Sequence, residues 1–303
     1  MSTYKNIAVI GAGVIWRPFQ LWVFHCFFYK ETRIDFSLQQ LVSNGANVVV
    51  VTHPGSSSKL PSGVKVATVD LTDVNALTKA FKENNIEVVV PTVSMAAIPG
   101  EHLLVDAAKA AGVQLFIVSE FGHSTVGRTS GIFGAKAKAA EYLQQIGLAM
   151  HDILSLTNFF VEWYIHHLHP LVVDSGKFKI LGKGDKKSSF THMEDIAGFT
   201  AYVITHLQLS QLANKIFRIK GESATMLEIS KLYAPKFAVE EFKNCLQGLI
   251  ENAEGPVTYD IPSKDLVGDG LSNQLWVGHW RRGIKESLEQ PRALVEREVN
   301  FIN

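Results

Sequence analysis

The chain has 303 residues, and its 29 Lys and Arg side chains balance 29 Asp and Glu side chains, so the formal net charge is zero. This balance argues against a nucleic-acid-binding protein, which normally carries a basic excess. With 47% apolar and 19% charged residues, the composition is that of a globular protein and excludes a disordered one. Two cysteines, Cys26 and Cys245, cannot build a disulfide scaffold, so we expect a reducing, cytoplasmic location.

Strands and helices alternate along the first half of the chain. Short apolar runs bounded by turn residues predict strands at residues 6–10, 47–52, 64–69, 87–92, 114–119 and 151–156. Between them, helices are predicted at residues 36–43, 73–84, 102–111 and 133–146. This alternation predicts an α/β fold, a Rossmann-like doubly wound parallel sheet with helices on both faces. No signal peptide is recognised at the amino terminus, and no apolar run is long enough to span a membrane.

The pattern becomes less regular after residue 157. A helix at residues 193–206 and a strand at residues 215–220 are predicted there, followed by an irregular tail. We interpret residues 1–157 as a Rossmann domain and residues 158–303 as a smaller, substrate-binding lobe. This lobe is expected to pack over the carboxyl edge of the sheet, where ligands bind in doubly wound folds.

The first predicted strand ends in Gly11-Ala-Gly13. In dinucleotide-binding loops the first glycine permits a tight turn and the second lets the backbone approach the pyrophosphate. The pattern therefore predicts that residues 1–157 bind NAD(P). The third glycine of the motif is missing, because Trp16 stands at its position, and the expected helix begins only near Phe36.

Residues 14–35 separate the glycine loop from that helix and follow neither the strand nor the helix period. They carry seven aromatic side chains: Trp16, Phe19, Trp22, Phe24, Phe27, Phe28 and Tyr29. One interpretation is a functional lid or a partner-binding flap. The interpretation that we favour is a foreign insertion, such as translated intron sequence, because its local chemistry contradicts the surrounding pattern. In that case the insertion disrupts the glycine loop and inactivates the chain.

Eight short motifs follow one another along the chain. They lie at residues 11–13, 48–53, 63–70, 119–122, 133–138, 158–160, 192–196 and 221–228. With these motifs the chain resembles the NmrA-like and isoflavone-reductase-like group of atypical short-chain dehydrogenases/reductases, in its fungal-type branch. The resemblance implies NADPH binding. In the reductase members it also implies a lysine near the nicotinamide that handles a proton, which corresponds to Lys136. Some NmrA-type members instead bind the dinucleotide as a signal and perform no chemistry.

The end of the second strand indicates which cofactor is preferred. NAD sites place an Asp or Glu there to accept from the ribose 2′-OH, whereas this strand ends in Thr52 and His53. We therefore predict that Thr52, His53, Ser56 and Lys59 bind NADP(H), with the last three facing its 2′-phosphate. The resembled family usually has arginine at the position of His53, which implies that this chain binds the 2′-phosphate more weakly. An ordinary polar loop is the alternative interpretation.

Lys136 is the predicted catalytic residue. The tyrosine of the common Tyr-x-x-x-Lys pattern is absent, because Ile132 stands four residues earlier. This absence fits lysine-only chemistry, since a lysine can itself donate or accept a proton in a suitable environment. The resembled reductases tend to carry an arginine where Ala140 stands. The alternative interpretation is a solvated helix face, on which Lys136 is no different from Lys138.

Other candidate residues follow the carboxyl ends of strands. Cofactor contacts are predicted for Thr92, Ser94, Ser119, Phe121 and Asn158, and substrate contacts for Phe121 and Phe160. Loop capping and packing are the alternative roles of these residues. No metal site is expected, because the remaining candidates, His166, His167 and His169, do not share one helical face with further ligands.

These predictions combine into one expected function. The chain is expected to be an NADPH-dependent reductase of a small apolar or aromatic substrate, with hydride from the nicotinamide and a proton handled by Lys136. The alternatives are a non-catalytic NADP(H)-sensing regulator and a chain inactivated by its insertion. The expected partner is a small-molecule substrate, without nucleic acid or a membrane span, and a protein partner follows only from the sensor alternative.

Overall fold

The computed structural model describes residues 4–11, 38, 40–55, 60, 64–93, 95–118, 120, 124–155, 173–174, 177–180, 182–233, 238–241, 259–260, 265–266, 271–279 and 283–285. The atypical segment, residues 14–35, lies outside these ranges, so its two interpretations both remain predictions. Within the described part of the chain, no helix is long and apolar enough to cross a membrane.

Strands and helices alternate as the sequence predicts. The strands of the first half are β1 (Asn6–Ile10), β2 (Asn47–Thr52), β3 (Lys65–Thr68), β4 (Val88–Pro91), β5 (Leu115–Val118) and β6 (Met150–Ser155). Those of the second half are β7 (Val173–Asp174), β8 (Lys177–Ile180), β9 (Lys187–Phe190), β10 (Lys215–Ile219), β11 (Glu222–Thr225), β12 (Ala238–Glu241), β13 (Tyr259–Asp260) and β14 (Asp265–Leu266). The helices are α1 (Val74–Glu83), α2 (Glu101–Ala111), α3 (Gly131–Gln145), α4 (Met193–His206), α5 (Leu209–Leu212) and α6 (Met226–Tyr233). Two 3₁₀ helices lie at Met95–Gly100 and Asn273–Leu275.

Seven strands form one central sheet in the order β10-β6-β5-β4-β1-β2-β3. Every neighbouring pair in this sheet is parallel. The chain runs outward from β1 to β3 and then returns to place β4 on the other side of β1. Such a reversal creates a crevice at the carboxyl ends of β1 and β4, which is where doubly wound folds bind ligands. The predicted Rossmann-like α/β class is confirmed.

The core lies in two apolar layers, one on each face of the sheet. Side chains alternate between them along each strand, as the pleat requires: Ile7 and Val9 enter one layer, and Ala8 and Ile10 enter the other. Helices α1, α2 and α3 cover the second layer, and α4 covers the first with Phe199. Burial on both faces explains why the central strands β1, β2, β4 and β5 are nearly continuous apolar runs.

The seventh strand of the sheet comes from the second half of the chain. Strand β10 pairs with β6, and Phe217 and Ile219 on β10 are buried in the first apolar layer. The sheet thus extends beyond the predicted boundary at residue 157, and the division into two lobes remains a prediction. The outer edge of β10 is in turn covered by residues 271–276. Ser272 and Asn273 exchange hydrogen bonds of 2.6–3.2 Å with the backbone at Arg218 and Lys220.

Candidate functional site

Gly11 lies where the carboxyl ends of three strands meet. Its backbone has φ +105°, and its N–H donates to the carbonyl oxygen of Val51 on β2 at 3.2 Å. Beside it, the backbone N–H and the hydroxyl of Thr92 both donate to the Ile10 carbonyl, at 2.8 and 2.9 Å. A Cβ atom on Gly11 would stand 2.9 Å from the Thr92 carbonyl oxygen. The first glycine of the motif is therefore required both for its conformation and for space, and it lies beside Thr92, a second predicted cofactor contact.

Two buried polar atoms lie at the carboxyl end of β2. The hydroxyl oxygen of Thr52 and Nε2 of His53 have no hydrogen-bond partner among the described residues. Buried polar atoms in native proteins nearly always have a partner, so an unpartnered pair at a ligand-binding edge indicates atoms that a ligand satisfies. Both residues were predicted from the sequence to contact the cofactor.

The imidazole ring of His53 is held in one tautomer. Nδ1 lies 2.6 Å from the carbonyl oxygen of Pro54, and a carbonyl oxygen only accepts, so we assign the proton of the neutral ring to Nδ1. In the neutral ring Nε2 is then an acceptor, and it becomes a donor only when the ring is doubly protonated. Nε2, which has no hydrogen-bond partner among the described residues, is therefore the ring atom left for a ligand.

Lys136 lies on the inner side of α3, and Lys138 does not. The Nζ atom of Lys136 donates to the backbone carbonyl oxygen of Glu120 at 2.7 Å, which links α3 to the segment that follows β5. Lys136 is half-buried, whereas Lys138 is exposed and lines a surface groove with His102 and Tyr142. The two lysines, equivalent by sequence, are thus distinguished by their surroundings.

Glu120 carries a buried carboxyl group beside Lys136. The residue is 3% exposed, and Oε1 accepts a hydrogen bond from the hydroxyl of Thr125, which is also buried. The other oxygen, Oε2, has no partner among the described residues. Burial raises the pKa of Glu120, while the charge of Lys136 and the Thr125 hydrogen bond act in the opposite direction.

Glu120 and Thr125 were not among the residues predicted from the sequence. Glu120 does belong to the motif at residues 119–122, and it stands two residues after a strand whose four residues are all buried. A charged residue at the carboxyl end of a buried strand is the signal that could have identified it. For Thr125 we find no comparable signal in the sequence.

The remaining predicted site residues lie outside the described ranges, so their roles stay predictions: Gly13, Ser56, Lys59, Ser94, Ser119, Phe121, Asn158 and Phe160. His166, His167 and His169 lie outside them as well. Across the residues that the structure does describe, no three His, Cys, Asp or Glu side chains are grouped so that they could hold a metal ion.

Comparison with known proteins identifies the family. A model of the NmrA-like family matches residues 35–240, and the chain belongs to this family. The predicted resemblance is therefore confirmed, and the match begins where the atypical segment ends. Among curated relatives, the isoflavone reductase homolog P3 of Arabidopsis thaliana is 33% identical over 57% of this chain and 58% of its own length. Oxidoreductase aprR of Aspergillus flavus is 32% identical over 48% of this chain and 50% of its own length. The chain thus spans about half the length of the curated relatives it matches.

Solved structures of similar proteins support the same fold. A crystal structure of isoflavone reductase superposes with a TM-score of 0.71, at 18% identity, over 95% of this chain and 99% of that one. The leucoanthocyanidin reductase–NADPH complex from Vitis vinifera gives 0.69, at 17% identity, over 93% of this chain and 97% of that one. At such identities the likeness establishes the Rossmann-like fold.

Proposed function

We propose that the chain is an NADPH-dependent reductase of a small apolar or aromatic substrate, in which Lys136 handles the proton. The observation that carries the proposal is the hydrogen bond from Lys136 Nζ to the Glu120 carbonyl, after the carboxyl end of β5. It holds an ammonium group at the edge of the sheet where doubly wound folds bind their ligands. The family, and the reductase names of its relatives, support the same class of activity.

The described residues fit an NADP(H) cofactor. Gly11 lies beside Thr92 at the end of β1, and Thr52 and His53 present unpartnered polar atoms at the end of β2. The strand end lacks the carboxylate that would select a ribose 2′-OH and repel a phosphate. A bound NADPH supplies the hydride for the reduction.

Lys136 is suited to deliver a proton at a fixed position. A lysine ammonium has three N–H donors, and one of them is used by the Glu120 carbonyl. This bond orients the amine, which would donate the proton to a substrate atom that gains negative charge on reduction. General acids placed in this way typically contribute a rate factor of about 10²–10⁴.

The test is a matched pair of lysine variants. We expect Lys136→Ala to lose turnover of NADPH with a panel of enones, aromatic ketones and benzylic ethers, by roughly 10²-fold or more, while NADPH binding survives. Lys138→Ala removes a neighbouring lysine from the exposed side of α3 and should leave both properties unchanged. Near-normal turnover in Lys136→Ala would remove the catalytic assignment.

A non-catalytic NADP(H) sensor is the second candidate function. It is favoured by Ala140, which stands where the resembled reductases tend to carry an arginine and packs against the second apolar layer. A chain that binds NADPH tightly but turns over no member of the substrate panel would support the sensor, and with it a protein partner. Inactivation by residues 14–35 predicts instead that NADPH binding itself fails. The cytoplasmic location also remains a prediction.

A further inference from the structure

We propose that the buried carboxyl group of Glu120 is a positioning residue that keeps Lys136 protonated and oriented. This inference rests on the proposed function of Lys136, but its test below is independent of turnover. It assigns a role to Glu120, which the sequence motifs did not single out, and to Thr125, which holds it.

The backbone N–H of Glu120 donates to the carbonyl oxygen of Val118 on β5, two residues earlier, at 2.7 Å. The carbonyl oxygen of Glu120 accepts from Lys136 Nζ, and its side chain is almost fully buried. One residue thus presents both a dipole and a carboxyl group to the same region.

The carboxyl group is fixed on one side only. Thr125 donates to Oε1 and is itself held in a turn, because its carbonyl oxygen accepts from the Arg128 N–H at 2.9 Å. Oε2 has no partner among the described residues. A buried carboxylate with an unsatisfied oxygen is unfavourable unless a positive charge lies nearby.

Lys136 supplies that positive charge. Burial raises the pKa of Glu120, and the charge of Lys136 is the largest influence in the opposite direction. The interaction between two titrating groups is mutual, so the ionised Glu120 favours the protonated amine to the same extent. A proton donor must carry its proton when the substrate is reduced, and Glu120 provides the field that maintains this state.

The titration of Lys136 tests the proposal directly. Lysines are reductively methylated with ¹³C-formaldehyde, and their NMR signals are followed with pH, with Lys136→Arg identifying the signal of interest. In Glu120→Gln the midpoint of Lys136 should fall by about one pH unit, because an opposite charge nearby has been removed. Glu141→Gln removes an exposed carboxylate from the same helix and should leave the midpoint unchanged.

Thr125→Val provides a second, milder perturbation. Losing its hydrogen bond makes Glu120 harder to ionise, so the Lys136 midpoint should fall in the same direction by a smaller amount. An unchanged midpoint in folded Glu120→Gln, or in Thr125→Val if Glu120→Gln does not fold, would overturn the proposal. A lowered midpoint together with normal turnover in Lys136→Ala would retain the electrostatic pairing and reject the proposed function instead.

Discussion

A methyl group added at Gly11 would meet the backbone of the chain that follows β4. Its Cβ atom would lie 2.9 Å from the carbonyl oxygen of Thr92 and 3.2 Å from Cα of Val93. Main-chain atoms at the end of a central strand cannot rotate away as a flexible side chain can. We expect this overpacking to destabilise Gly11→Ala by about 1–3 kcal/mol. The positive φ of +105° adds about 1–2 kcal/mol, because an L residue is strained there.

The matched control is Gly45→Ala. Gly45 has φ +82°, but a Cβ atom there would have nothing within 4 Å, so only the backbone strain remains. Urea unfolding followed by circular dichroism gives the free energy of unfolding for both variants. Gly11→Ala should lose about 1–3 kcal/mol more than Gly45→Ala. Equal losses would refute the close approach of Gly11 to Thr92, and with it the geometry of the loop.

Three further predictions concern the cofactor, the atypical segment and Glu120. Fluorescence titration should show tighter binding of NADPH than of NADH, and His53→Asp should shift the preference toward NADH; equal affinities in the parent chain would contradict the assignment. Deleting residues 14–35, with a short glycine-containing join to Phe36, should raise solubility and tighten NADPH binding by about 1.4 kcal/mol, or tenfold. Weaker binding after the deletion would identify the segment as a working lid. The folded state raises the pKa of Glu120 above its ordinary value of 4.5, so its contribution to stability is complete below that pH and is lost as pH rises through the raised value. Thermal unfolding should therefore show Glu120→Gln gaining stability relative to the parent as pH rises above about 4.5, and a constant difference would argue against the shift.

The strands of the sheet could be predicted because a buried strand consists of consecutive apolar residues. In β2 and β5 nearly every side chain is apolar, as required when helices cover both faces. The helix at Val74–Glu83 could also be predicted from the sequence, because Asp73 is a typical N-cap residue. In the structure its side chain accepts from the N–H of Ala76. Local signals of this kind act over a few residues and need no knowledge of the fold.

Long-range pairing and burial could not be predicted in the same way. The strand at Lys215–Ile219 was expected, but its place beside β6 depends on residues about sixty positions earlier. The burial of Glu120 likewise depends on Thr125 and on the way α3 packs against it. From the sequence alone, an acidic residue after a strand is expected to be an exposed loop residue. Lys136 and Lys138 could be separated only once the rotation of α3 about its axis was known.

Transfer of labelled hydride tests the central claim most directly. NADPH carrying deuterium at the reactive carbon of its nicotinamide is incubated with the chain and each member of the substrate panel. The masses of the products are then measured by mass spectrometry. The proposed function predicts a reduced product that contains one deuterium from the cofactor, formed by the parent chain and by Lys138→Ala but not by Lys136→Ala. Bound NADPH with no labelled product from any substrate, or equal labelling by Lys136→Ala, would contradict it.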